Sequence, residues 1–197
     1  GEGNELPFSG DSVRSALLKT AHYQGNPQDL WEHLLRESAV NILRFNLDLQ
    51  NEVEQPIAKN IGWLDFTHAI TFGEAVKFHG DQNEQHMRSG LLQMACFVGR
   101  NARFLKDSEF DRYRVEDRKD FIKTQKQALF NMDMGEYIYS VHRLKMICAI
   151  ENLIEIVSDE TAGILVAALH KYLVSRVRMR HPARSLYQAR ETVLREG

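Results

Sequence analysis

The stretch WLDFTHAITFGEAVKFH, residues 63–79, decides the fold class. It is apolar for most of its length, too long for an ordinary strand, and free of the strict two-residue alternation of a half-buried one, so it reads as a helix spanning 61–79. His68 and His79 lie eleven residues apart on it. Eleven steps of about 100° close three turns with about 20° left over, which puts both imidazoles on one stripe, about 16 Å apart along the axis. Metal–ligand bonds are about 2 Å long, so the spacing marks a face and not a chelate. The same spacing returns in HKYLVSRVRMRH, His170 to His181.

The segments around this one read the same way. DSVRSALLKTAHY, from Asp11, is a capped first helix, and NPQDL places Asn26 at an N-cap with Pro27 at the first helical position of a second helix that runs to about residue 50. Pro56 and the NIG turn precede helix 61–79, HGDQN ends it, and a fourth helix covers 84–105. Further helical spacing occupies 118–133, 136–157, 160–180 and 182–195, punctuated at Ser158, Asp159 and Pro182. The expectation is an all-α bundle or orthogonal array of about eight helices within a single domain, 10–197. Residues 1–9, which begin without Met, are set aside as a tag remnant, a processed end or the edge of a longer chain.

Composition agrees. With 4 Pro and 12 Gly in 197 residues and a wealth of Leu, Ala, Glu, Arg and Gln, helix is favoured throughout. KDSEFDRYRVEDRKD, 106–120, is the most charged stretch and reads as a connection between halves 10–105 and 118–197. ALLKTAHYQGNPQDLWEHLL, from residue 16, and QALFNMDMGEYIYSVHRLKM, from residue 127, share an Ala-Leu start, a central Gly and an aromatic followed by His, a thin signal of an internal repeat.

Lys plus Arg number 25 against 27 Asp plus Glu, a net charge of −2, so the molecule has no basic field to gather nucleic acid. No window supplies the roughly 20 apolar residues of a membrane span. Cys96 and Cys148 sit in apolar runs without metal-ligand spacing and read as buried free thiols of a reducing cytoplasm. The arginines of VSRVRMRHPAR, 174–184, read as a basic helix end, with an anion or protein contact as the functional alternative. Gly99 in CFVGRNARF permits close helix packing or marks a break. No nucleotide-binding, hydrolase-elbow or zinc-finger motif occurs.

Chemistry, if the chain carries any, rests on histidines that fall on apolar faces. His170 shares its stripe with Val166, Ala167, Leu173, Val174 and Val177, with Lys171, Ser175 and Arg178 opposite. His142 shares one with Ile138, Tyr139, Met146 and Ala149, and His68 lies among Ile61, Leu64, Phe72 and Ala75. Asp29, His33, Glu37 and Asn41 form a row at four-residue intervals, and Asp65 and His68 stand at i, i+3. Helical di-iron proteins use a Glu-x-x-His pair in each of two helices. No such pair exists here, which disfavours that centre.

Two readings stand. In the first, His33, Glu37, Asp65, His68, His142 and His170 make a buried site for one divalent transition metal, Fe or Zn, or for a small-molecule ligand, with enzymatic use open. In the second, the chain is a non-catalytic helical interaction module of an oligomer or a larger protein, and its histidines are structural. In both, the inner histidines 68 and 170 lie deep in the core near their counterparts 33 and 142, and His79 and His181 stand at helix ends nearer solvent. Limited proteolysis is expected to nick 106–120 before any other internal segment, because it has few apolar anchors. First cleavage within 61–79 overturns this layout.

Overall fold

The computed structural model describes residues 8–51, 61–107, 110–130, 137–175 and 182–196. Within them the chain forms eight α-helices: α1 Val13–Ala21, α2 Pro27–Arg44, α3 Trp63–Gly80, α4 Glu84–Asn101, α5 Arg118–Phe130, α6 Tyr137–Leu153, α7 Asp159–Val174 and α8 Pro182–Glu196. Among the described residues no strand occurs, and β pairing is confined to one antiparallel bridge, Phe45 to Leu105. Pro56, residues 131–136 and His181 lie outside the described residues.

Local chemistry explains the helix starts. The Asn26 side chain accepts from Gln28 N–H at 3.0 Å with Pro27 at the first helical position, and Ser158 Oγ accepts from Thr161 N–H at 3.3 Å to cap α7. At α1 the cap is Ser12 and not the expected Asp11. The Asp11 carboxylate instead takes the Ser15 hydroxyl at 2.9 Å and Lys19 at 2.6 Å.

α2 lies centrally, packed on α3, α4 and α7, while α1 covers α4 and α6 packs on α3, α5 and α7. One core cluster runs through all these contacts, from Phe8 and Trp31 to Leu165 and Tyr172. Trp31 is buried within it and donates from Nε1 to the Gly73 carbonyl at 2.8 Å, joining α2 to α3.

The expectation that the second helix reaches residue 50 is corrected: α2 ends at Arg44, followed by a 3₁₀ turn at Leu47–Asn51. Phe45 turns to extended backbone, φ −54° and ψ 124°, to bridge Leu105. The α2 carbonyls freed there find donors. Lys106 N–H donates to Arg44 O at 2.8 Å, and Lys171 Nζ donates to Leu43 O at 2.6 Å and Phe45 O at 3.2 Å. The reading of α7 is corrected with it. Lys171, placed opposite the core stripe, is only 4% exposed and Ser175 is buried, whereas Val174, placed on the stripe, is exposed. α7 is apolar nearly all round and packs on both α2 and α6, so its periodicity did not fix its rotation.

Gly99 allows the close approach expected of it. A Cβ there would stand 2.6 Å from both Cα and N of Val13, and backbone cannot yield as a side chain tip can. Gly99→Ala is therefore expected to destabilise by about 1–3 kcal/mol in chemical denaturation, although Ala is intrinsically the better helix former by about 1 kcal/mol. Lys171→Met leaves two helix-end carbonyls in the core without their donor and is expected to cost about 2–4 kcal/mol. Burial pushes the Lys171 amine from its ordinary 10.5 down to about 8, with Lys106 adding to the effect. Between those values the unfolded chain holds more protons than the folded one, so this group favours folding increasingly as pH rises. The stability gap between wild type and Lys171→Met is expected to widen from pH 8 to 10.5. A gap that narrows over that window contradicts the assignment.

Candidate functional site

The six candidate residues occupy four places. His33, on α2, packs its ring 5.6 Å from that of Phe8 and lines an open cleft of about 230 Å³ with Asp29, Glu32, Arg36, Ser158 and Thr161. That volume lies below the roughly 300–1,000 Å³ of typical small-molecule pockets. The cleft is also cross-braced. Glu32 accepts from the Ser158 N–H at 2.9 Å and hydroxyl at 2.5 Å, and Arg36 pairs with Glu160 at 3.2 Å. Burial alone would raise the Glu32 carboxyl, but hydrogen bonds from Ser158 and Thr161 outweigh it and hold the group below its ordinary range. Glu37, one turn beyond His33, is half-buried. Burial raises its carboxyl, with Asp11 adding to the shift and Arg36 and Arg44 opposing it.

Asp65 stands at the start of α3, where its Oδ2 accepts from Gly62 N–H at 2.9 Å and its Oδ1 pairs with Arg100 at 2.5 Å. Asn101 Nδ2 donates to the Asp65 carbonyl at 3.0 Å. This carboxylate closes the α3 N-terminus onto the α4 C-terminus, and both of its oxygens are engaged.

His68 and His142 meet between α3 and α6, with ring centroids 5.7 Å apart and planes inclined by 40°. The His142 Nδ1 lies 2.8 Å from the carbonyl of Ile138, one turn earlier. A carbonyl only accepts, so Nδ1 carries the proton, and in the neutral tautomer that this selects, the lone pair lies on Nε2. Burial lowers the His68 pKa, Lys145 and His142 push it the same way, and Asp65 opposes them. His170 belongs elsewhere. Its Nδ1 is 3.1 Å from the Tyr113 carbonyl, and its ring packs 5.3 Å from Phe121 and 5.8 Å from Tyr113.

The structure thus brings together one pair of the six, His68 with His142, and places His33, Glu37, Asp65 and His170 among other partners. Among the described residues no three His, Cys, Asp or Glu side chains gather as a metal-holding group. The inner histidines are half-buried and not deep, which corrects the expectation. His68 is flanked on its own face by exposed Leu64 and Ala75, and His142 by exposed Ile138. His79 is exposed, as expected of the outer member. Cys96 and Cys148 are free and half-buried. Among the described residues no helix is long and apolar enough to cross a membrane.

Sequence reasoning passed over Glu32, Lys145 and Lys171. Glu32 carries a local signal, Arg36 four residues on, and Lys145 lies one turn beyond His142, but Lys171 has none: its acceptors are more than 120 residues away. Comparison of the chain with protein-family models, with curated proteins and with solved structures gave no match, so the functional reading rests on the geometry above.

Proposed function

We propose that the chain is a non-catalytic helical interaction module that assembles with a second copy of itself through α8. One observation carries this reading: α8 is amphipathic and turns its apolar side outward. Leu186, Val193 and Leu194 are 73%, 69% and 68% exposed, while Gln188, Glu191 and Thr192 on the polar side are half-buried. No other described element shares an extended interface with this helix. A solvent-facing apolar stripe on a helix is stabilised by covering it.

The stripe suits a second copy because it is nearly its own mirror image. Leu186 and Leu194 stand four residues either side of Arg190, with half-buried Tyr187 and exposed Val193 inside them. A two-fold interface needs a self-complementary patch. Antiparallel pairing about Arg190 sets Leu186 against Leu194 and Tyr187 against Val193 of the second copy. Arg190 then meets its own equivalent at the axis, a like-charge contact that weakens the pair. A stripe this short covers little area, at the low end of interfaces, below about 1,200 Å² in total, so association depends on concentration.

Sedimentation equilibrium tests the reading. Wild type is expected to dimerise with rising concentration and Leu186→Glu to stay monomeric with an unchanged helical spectrum. Mixed with wild type, Arg190→Glu is expected to form heterodimer beyond the statistical half, because opposite charges then meet at the axis. A wild type that is monomeric at every concentration, or a Leu186→Glu variant that dimerises equally well, overturns it.

A further inference from the structure

The pair between α3 and α6 has a use that the assembly through α8 does not touch. Metal–nitrogen bonds of about 2 Å and a ring radius of about 1 Å set the centroids of two imidazoles on one ion about 5 Å apart at the tetrahedral angle and about 6 Å apart when the two bonds are opposite. His68 and His142 stand at 5.7 Å. The Nδ1–H bond from His142 to the Ile138 carbonyl is the kind of partner that orients ligating histidines, since it fixes the tautomer and leaves Nε2 free to coordinate. Each imidazole comes from a long helix packed on the other, so the pair is held by the fold and not by a loop.

We propose that His68 and His142 bind one divalent late transition ion, zinc or copper(II), through two imidazoles. Imidazole suits both metals, and copper(II) binds the tighter by the usual order of affinities. The remaining coordination positions are open to water or to an exogenous ligand, because Asp65, the carboxylate whose charge bears on His68, is committed to Gly62 and Arg100. Such a site is exchangeable, unlike a structural zinc closed by four protein ligands. Two charged groups face it: Asp65 favours a bound cation, and Lys145, on α6, opposes one.

The test is a titration of the metal-free chain with Zn²⁺ alone, followed by calorimetry and by thermal melting. Wild type is expected to take up one equivalent at this site and to melt at higher temperature with Zn²⁺ present. His68→Gln and His142→Gln are each expected to weaken binding at least about tenfold and to lose the thermal shift, since loss of even an outer partner of a ligand costs about 10–100-fold. Lys145→Met is expected to tighten binding, whereas His33→Gln, His79→Gln and Leu186→Glu leave it unchanged. Failure of wild type to bind Zn²⁺ overturns the proposal, as does binding that survives in both His68→Gln and His142→Gln. Because Leu186→Glu abolishes the α8 contact and spares this site, the two readings fail separately.

Discussion

The end of α2 is the constraint on which the arrangement depends. A helix that stops inside a core leaves its last carbonyls without donors, and each one unpaired costs about 1–3 kcal/mol. Here the donors come from far along the chain. The amine of Lys171 reaches Leu43 O and Phe45 O, and the backbone of Lys106 reaches Arg44 O. A cation also suits the negative end of the helix dipole, which offsets part of its own desolvation. Because the amine must arrive from α7, the rotation of α7 is fixed by this contact. With it is fixed the side of α7 that His170 occupies, beside Tyr113 and Phe121.

The other inter-helix polar contacts repeat this logic with smaller groups. Glu32 of α2 supplies acceptors to Ser158 at the start of α7, where Ser158 also caps the helix, so one end of the α2–α7 pair is held by Glu32 and the other by Lys171. Asp65 both satisfies the Gly62 N–H before α3 and pairs with Arg100 at the end of α4, holding the ends of two adjacent helices together. These side chains are used for alignment, so Glu32 and Asp65 are spent before any ligand arrives.

Helix identity was legible because it is written in short-range chemistry. Asn26 with Pro27, Asn83 and Ser158 announce starts that depend on contacts two or three residues away. What could not be read was rotation. α3 and α7 are apolar on nearly every side, so a stripe drawn through His68 or His170 has no polar counterpart to fix it, and the rotation is chosen by neighbours. The end of α2 was invisible for the same reason, since the bridge to Leu105 and the donors Lys106 and Lys171 all lie far off in sequence. Of the candidate site, the meeting of His68 and His142 was within reach as a shared expectation for inner histidines, but their partial exposure was not. It follows from the outer faces of α3 and α6 having no further helix laid over them among the described residues.

That uncovered rim bears on the chemistry of the pair. Leu64 precedes His68 by one turn and Ile138 precedes His142 by one turn, and both are exposed together with Val141. Side chains four apart on a helix are neighbours, so each half-buried imidazole stands beside an exposed aliphatic group on its own helix. At His68 burial disfavours the imidazolium, and so do Lys145 and His142. A neutral ring is the form that coordinates a metal, and an ion can reach it only where solvent does. Full burial, as first expected from the apolar stripes, would have sealed the imidazoles from any ion. The half-buried position at the edge of the α3–α6 contact leaves them within reach, and the core gives up little to allow it, because Met146 and Ala149, one and two turns further along α6, remain fully packed.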